Sequence, residues 1–223
     1  MSFKENGFEI IEDVLSSKDL TPINKEFSLM ESSIIGGGLR NADKKLSSVS
    51  ALLSNPNLST LIQNYFPSHA QLVRAILFVK TQSNNWLVTW HQDKTVSVSQ
   101  KFESAGWGPW SRKDGVLHVQ PPSEVLSQIV SFRVHLDAST EENGCLKLIP
   151  NSHSDGLLSQ AAINNYSKEA AINCLAPLGS VLVMRPHILH ASSKAASPNP
   201  RRVLHLEYSS YKLPAGVQWA SNM

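Results

Sequence analysis

The chain has 223 residues, of which 41% are hydrophobic and 17% charged, which is typical of a globular domain and not of a disordered chain. Its net charge of +2 does not favour a strongly basic nucleic-acid-binding protein, and no apolar run approaches the roughly 20 residues of a membrane helix. The length favours one domain over residues 1–223. The only cysteines are Cys145 and Cys174, and the N-terminus lacks an apolar signal core, so we expect a soluble, cytoplasmic protein with reduced thiols.

Residues 1–70 are predicted to be helical. Residues 16–19 have the composition of a helix start, and apolar residues follow with helical spacing as far as Leu29. A second helix is expected near residues 43–53. A turn at residues 55–57 then separates it from a third helix over residues 58–65.

The pattern changes after His69, where short runs of strand-forming residues replace the helical spacing. Many short strands without regular helices between them favour a sandwich or jelly roll over a parallel α/β sheet. We therefore expect a mainly β fold with a jelly-roll core over residues 71–210, covered on one sheet face by the N-terminal helices. The strand-like runs are residues 72–79, 87–90, 95–99, 116–119, 131–137, 146–149, 172–175, 181–184 and 202–208.

Residues 100–115 differ from the rest of this region because they are rich in glycine, proline and tryptophan. The segment fits a long surface loop anchored by Trp107 and Trp110. It fits equally well a lid over a pocket, because long connecting segments often carry function.

A metal site is suggested by histidines followed two residues later by an acid. On a strand, such a pair lies on one face and can hold one ion. The pattern occurs four times, beginning at His91, His135, His153 and His205. Only His91 ends an early strand and precedes several further strands before the next candidate histidines, so His91 and Asp93 are preferred.

The third ligand is expected from a late strand, and both His187 and His190 qualify. They are three residues apart, so in an extended segment only one of them faces inward, and the spacing does not choose between them. Two histidines and one carboxylate on one face of an iron are the ligand set of non-haem Fe(II) oxygenases. The alternative is that His91 and Asp93 form a surface pair or support another site.

Several motifs occur together in an order that resembles the phytanoyl-CoA dioxygenase family. They are residues 90–93 (WHQD), 142–146 (ENGCL), 149–153 (IPNSH), 189–192 (LHAS) and Arg201. The family pattern is roughly WHxD, NGxLxxxPGSH and HxSxxN, with an arginine eleven residues after the last histidine. The resemblance covers residues 72–209 and is far more specific than any one motif.

Two departures from the family pattern concern loops. Asn151 replaces the glycine of PGSH, a modest change because asparagine tolerates left-handed backbone. The asparagine of HxSxxN is displaced within residues 193–200.

The resemblance implies a double-stranded β-helix that uses Fe(II), 2-oxoglutarate and O2. It implies hydroxylation of an unactivated C–H bond of a small organic substrate, with release of succinate and CO2. The presence of Asp93 favours hydroxylation, because related halogenases have alanine or glycine at that position. The resemblance makes His91, Asp93 and His190 the iron ligands, and it assigns Arg201, Ser192 and Lys80 to the cosubstrate.

Alternating strands suggest where a substrate pocket lies. Arg133 and His135 share one face of their strand, and that polar face is directed either to solvent or to a chamber. Further candidates for substrate contact are His118, Gln120, Trp107 and Trp110. The substrate itself and the oligomeric state are not readable from the sequence.

The sequence is also compatible with two other functions. A cupin-like metal enzyme that does not use 2-oxoglutarate is disfavoured by the position of Arg201. A non-catalytic jelly-roll binding module is disfavoured by the complete ligand set.

Overall fold

The computed structural model describes residues 2–30 and 37–222, so residues 31–36 of the predicted helical part lie outside the described residues. The helices are α1 (Phe3–Asn6), α2 (Ser17–Met30), α3 (Ala42–Lys45), α4 (Ser47–Leu52), α5 (Pro56–Gln63), α6 (Ser123–Leu126) and α7 (Gln160–Asn165). The strands are β1 (Phe8–Ile11), β2 (Gly38–Arg40), β3 (Gln71–Lys80), β4 (Val88–His91), β5 (Val96–Val98), β6 (Trp110–Lys113), β7 (Val116–Val119), β8 (Ile129–His135), β9 (Leu146–Leu148), β10 (Ile172–Asn173), β11 (Val181–Met184), β12 (His190–Ser192) and β13 (Arg201–Ser209).

Within these residues the strands form three antiparallel sheets. The largest has the order β1-β11-β8-β13-β3-β2, a second has the order β10-β9-β12-β4, and the third has the order β5-β7-β6. Strands that pair are mostly far apart in the sequence, as where β13 lies between β3 and β8. This arrangement is the predicted mainly β, jelly-roll architecture.

The N-terminal helices cover one face of the largest sheet, as the sequence predicts. Helix α2 buries Leu20, Ile23 and Phe27, which belong to the same core cluster as Phe132 of β8 and Leu204 of β13. Burial of each such side chain contributes about 1.5–3 kcal/mol, so this layer holds the helices on the sheet.

Side-chain caps fix where the helices begin. The Asn55 side chain accepts hydrogen bonds from the main-chain N–H groups of Asn57 and Leu58, and Pro56 occupies the first position of α5. Before α2, the N–H and hydroxyl of Ser16 both donate to the Asp19 carboxylate. These contacts satisfy donors at the helix ends that have no partner inside the helix.

The opposite face of β8 and β13 carries polar side chains, and they are buried as well. Arg133, His135, Arg201, His205 and Glu207 are each 1–6% exposed. This face is therefore not directed to solvent. It lies in the interior, where Arg133 borders a cavity together with residues of the second sheet.

The structure differs from the predicted elements in a few short segments. Residues 100–115 are not a structureless loop, because β6 lies within them and pairs with β7. Strand β1 was not predicted, because four residues within a helical region carry little periodic signal; it pairs with β11. The predicted helix over residues 43–53 is divided into α3 and α4 at Leu46. No helix in the described part of the chain is long and apolar enough to cross a membrane.

Candidate metal and cosubstrate site

Two strands of the second sheet bring the preferred histidines together. β4 ends at His91, and β12 begins at His190, its antiparallel partner in the pairing register. Asp93 lies two residues beyond β4, where its main-chain N–H donates to Pro186 O at 2.9 Å. The distances to the Asp93 carboxylate are 3.9 Å from His91 Nε2 and 3.6 Å from His190 Nε2. Atoms of all three side chains thus lie within 4.8 Å of one another, close enough to share one ion.

The histidine rings are oriented by their own strands. His91 Nδ1 is 2.8 Å from Thr89 O, and His190 Nδ1 is 2.8 Å from Ile188 O. A carbonyl oxygen accepts a hydrogen bond from Nδ1–H, so in each ring the lone pair on Nε2 is directed toward the shared space. Burial, with a further contribution from His91, lowers the pKa of His190 to about 3, so this ring is neutral as a metal ligand requires.

The third donor, Asp93, is kept ionised. Burial alone would raise the pKa of its carboxyl group, but electrostatic interactions with His190, Arg74 and His91 outweigh burial and hold the pKa well below its usual value. The donor set is therefore two imidazole nitrogens and one carboxylate, which suits non-haem Fe(II).

His187 lies apart from this group. Its ring is 6.1 Å from the ring of His153, centroid to centroid. Its burial, with His153, lowers its pKa to about 4. The structure therefore brings His190, and not His187, next to His91 and Asp93.

Gln92, between the two candidate ligands, faces the other way and fixes their loop. Its side-chain amide donates to Gly156 O and to His187 O, each at 2.7 Å, and its carbonyl accepts from the N–H of Leu158 at 2.8 Å. All the hydrogen bonds join it to residues more than sixty positions away. Sequence reasoning missed this role, and its only signal was that Gln92 alternates with the ligand pair.

The residues predicted for the cosubstrate also lie together. Lys80 of β3 is opposite Arg201 of β13 in the register, and its Nζ donates to Ser192 Oγ at 2.8 Å and to Ser193 O at 2.5 Å. Burial, followed by the charge of Arg201, lowers the pKa of Lys80 to about 8. This end of the site therefore concentrates positive charge in a buried place.

Arg201 is the residue here that lacks a partner. Its side chain is buried, and Nε has no hydrogen-bond partner within the described residues. Burial and the charge of Arg133 lower its pKa to about 10, which leaves it charged at neutral pH. A buried guanidinium without an acid is costly unless an anion joins it, and a carboxylate matches its planar fork.

One cavity of about 100 Å³ connects the two groups. Arg133, a predicted pocket residue, borders it and stacks on Phe78 at 5.3 Å. The residues that line it are Phe78, Trp86, Val88, His91, Asp93, Arg133, Leu146, His190, Ser192 and Arg201.

The other predicted pocket residues lie elsewhere. His135 is buried and its Nδ1 is 2.9 Å from Ser139 Oγ. Trp107 and Trp110 both pack on Phe102 and so join an aromatic cluster. Gln120 bonds through its main chain to the segment that carries these tryptophans. His118 borders a second, smaller cavity.

A buried chain of charged groups behind the site was not predicted. Arg74 donates to Glu207 at 2.5 Å, Glu207 is 3.1 Å from His205 Nε2, and His205 Nδ1 is 3.2 Å from Arg133. Asp93, His205 and Glu207 also have atoms within 4.8 Å of one another. The chain therefore reaches the candidate metal position from the interior.

Comparison with known proteins places this geometry in a family. A family model, phytanoyl-CoA dioxygenase, matches residues 3–203. No curated protein matches the chain significantly.

Three solved structures illustrate the shared fold. The 2-oxoglutarate-complexed EvdO2 from Micromonospora carbonacea var. aurantiaca is 16% identical, with 97% of this chain and 93% of that chain covered and a TM-score of 0.68. EctD from S. alaskensis with 2-oxoglutarate and 5-hydroxyectoine is 15% identical, with 93% and 73% covered and a TM-score of 0.69. The non-haem alpha-ketoglutarate-dependent epimerase SnoN from nogalamycin biosynthesis is 13% identical, with 99% and 82% covered and a TM-score of 0.70. At these identities the likeness confirms the predicted fold.

Proposed function

Because the chain belongs to the phytanoyl-CoA dioxygenase family and is an iron- and 2-oxoglutarate-dependent oxygenase, we propose that it hydroxylates an unactivated C–H bond of a small organic molecule and releases succinate and CO2. The observation that carries the proposal is the pairing of a two-histidine, one-carboxylate group with a buried arginine that lacks an acid, on the border of one cavity. The presence of a carboxylate at Asp93, where related halogenases have a small residue, favours hydroxylation.

In this proposal the iron is held by His91 Nε2, His190 Nε2 and the Asp93 carboxylate. Three protein ligands leave further coordination positions for a cosubstrate and O2. Iron with 2-oxoglutarate and O2 supplies the oxidising power for C–H hydroxylation, and the protein supplies position and shelter from water.

Arg201 holds the far carboxylate of 2-oxoglutarate in its guanidinium fork. Lys80 and Ser192, already bonded to each other at 2.8 Å, stand beside it and add charge and a hydroxyl. Arg133 borders the same cavity, where it faces either the cosubstrate or the substrate. The apolar side chains of Phe78 and Leu146 exclude water from the space between these groups.

The remaining expectations stay proposals. We place the enzyme in the cytoplasm, which is consistent with two free, buried cysteines. We treat residues 1–223 as one oxygenase domain and expect no nucleic-acid partner at a net charge of +2.

The test is an anaerobic titration of the metal-free protein with Fe(II) and then with 2-oxoglutarate. The signal measured is the weak visible charge-transfer band of a chelated keto acid. The band is expected in the wild type, is lost in His190→Ala and needs much more 2-oxoglutarate in Arg201→Ala. His187→Ala is the matched control and should keep the band. Loss of the band in His187→Ala but not in His190→Ala would overturn the ligand assignment, and no band in any form would overturn the proposed function.

A further inference from the structure

A second cavity lies behind the proposed iron site, away from Arg201. It is lined by residues of five strands or their ends, among them Arg40, Arg74, Ser97, Lys113 and His118. With a volume of about 10 Å³ it has room for about one water-sized group, such as a single oxygen of an anion whose other atoms stay outside the cavity.

Three cations line this cavity, of which Arg74 is buried, Arg40 is half-buried and Lys113 is exposed. Arg40 and Lys113 make no ion pair within residues 2–30 and 37–222. Arg74 is 8% exposed and has one acid partner there, Glu207, while its Nε has no hydrogen-bond partner. Burial together with the charge of Arg74 lowers the pKa of both Arg40 and Lys113, which shows that the three cations act on one another.

The floor of the cavity carries a further unpartnered donor. His118 is 3% exposed, and its Nδ1 has no hydrogen-bond partner in the described chain. Burial, with Arg74 and Lys113, lowers its pKa to about 4, so the ring is neutral and can donate one hydrogen bond without adding charge.

The acidic side chains nearby already have partners. Glu207 pairs with Arg74 and contacts His205, and Asp114 pairs with Lys45 at 2.7 Å. Asp93 belongs to the proposed metal site. None of these acids forms an ion pair with Arg40 or Lys113 in the described chain, so positive charge is in excess around the cavity.

The cavity is close to the proposed reaction centre. Arg74 is 2.5 Å from Glu207, and Glu207 and Asp93 have atoms within 4.8 Å of each other. The Arg74–Glu207 pair therefore links this cavity to the surroundings of Asp93, and an anion bound at Arg74 would be near the proposed iron site.

We infer that the substrate carries an oxyanion, a carboxylate or a phosphate, which binds between Arg40, Arg74 and Lys113 with a hydrogen bond from His118. This inference rests on the proposed function for the identity of the bound molecule as substrate. It makes Arg40 and Lys113 residues that select the substrate, because a neutral compound leaves their charges unpaired.

The first experiment does not depend on catalysis. The full chain, labelled with ¹⁵N and free of metal, is titrated with inorganic phosphate and with acetate, and the side-chain Nε–H signals of its arginines are followed by NMR. The signals of Arg40 and Arg74 should shift saturably, and the anion that binds more tightly identifies the preferred group. A shift confined to Arg201, or no saturable shift, would overturn the inference.

A pair of neighbouring variants provides the control. Lys113→Gln removes a charge at the cavity, whereas Arg112→Gln removes the same charge from the preceding residue of β6. Both side chains are exposed, but Arg112 does not line the cavity and donates to Gly115 O. Lys113→Gln should weaken anion binding about tenfold, the worth of one charge-assisted hydrogen bond, and Arg112→Gln should leave it unchanged. Equal effects of the two variants would mean an adventitious response to net charge.

The second experiment separates this inference from the proposed function. The keto-acid band is recorded on the same protein, together with succinate release in the presence of hexanoate or of hexanamide. If the band forms and the acid stimulates release more than the amide, both proposals are supported. If the band forms but neither anion shifts Arg40 or Arg74, the oxygenase stands and the anionic substrate is rejected. If the anions bind but no band forms, the anion site stands and the proposed function fails.

Discussion

Arg201 destabilises the ligand-free folded protein and stabilises the complex once a dicarboxylate binds. Its guanidinium is buried, and Nε lacks a partner in the described chain, so the folded state carries an incompletely paired charge. A carboxylate bound in the fork would satisfy that group and recover the cost. Arg201 is therefore expected to contribute favourably to ligand binding and unfavourably to the stability of the ligand-free fold.

Replacement of Arg201 by methionine tests this character. We expect Arg201→Met to raise the free energy of unfolding of the ligand-free protein by about 1–4 kcal/mol, because a buried charge is replaced by an apolar chain. The wild type should gain about 2.7 kcal/mol from 2-oxoglutarate at 100 times its Kd, with Fe(II) present and oxygen absent, and the variant should gain almost none. Urea unfolding measures both, with Arg112→Met as a neutral control. A variant that 2-oxoglutarate still stabilises fully would contradict the role of Arg201.

The sequence allowed some of these residues to be assigned and not others. His91 and Asp93 could be proposed because i and i+2 on a strand share a face, and a guanidinium after the last motif was readable as a carboxylate partner. Spacing alone could not separate His187 from His190, because the choice depends on the turn that precedes β12, and only the family resemblance assigned His190. Arg74 gave no signal, since its partner Glu207 lies 133 positions away.

The turn before β9 positions the cosubstrate end of the site. Gly144 has φ +72°, and a Cβ there would lie 2.4 Å from Ser193 O and 3.2 Å from Lys80 Nζ. The same turn is braced by Asn143, whose side chain accepts from the N–H of Thr140 at 2.8 Å. The tight turn at Asn143 and Gly144 therefore also sets the distance between the main chain at Ser193 and the amine of Lys80.

Two glycine variants separate backbone strain from this contact. Gly115 has φ +78°, and a Cβ there would meet nothing within 4 Å, so Gly115→Ala should cost only the left-handed strain of about 1–2 kcal/mol. Gly144→Ala should cost more and should also weaken 2-oxoglutarate binding, because Ser193 and Lys80 must move. Urea unfolding and the keto-acid band measure the two effects. If both variants behave alike and bind 2-oxoglutarate normally, the turn does not support the site.

Pairing between distant strands limits what the sequence reveals about the whole molecule. Local patterns located most strands and the helical layer, because each depends on neighbouring residues. The pairing of β1 with β11 joins residues 8–11 to residues 181–184, and the sequence of neither segment indicates its partner. The polar face of β8 and β13 was equally hard to interpret. Alternation in the sequence showed that the face is polar, but only the packing of the sheets shows that it is buried.

Burial of several histidines makes the stability of the whole molecule depend on pH. Burial is the main cause that lowers the pKa of His135 to about 3, and that of His118 and His187 to about 4 each, from an ordinary value of 6.5. As the pH falls below about 6.5, the unfolded chain binds protons at these positions while the folded protein does not. Stability is therefore present above the unfolded pKa and is lost as the pH falls toward the folded values.

The metal-free protein should accordingly lose stability between pH 6 and pH 4, by up to about 1.4 kcal/mol per pH unit for each such histidine. Urea unfolding at several pH values measures this slope. His135→Gln removes one of these groups at a position that is neither a proposed iron ligand nor on the border of either cavity, and its Ser139 contact is open to an amide. Whatever its effect at neutral pH, the variant should reduce the slope by about 1.4 kcal/mol per pH unit, since one proton fewer is taken up on unfolding. An unchanged slope would mean that His135 is protonated in the folded protein and that its burial does not contribute to acid sensitivity.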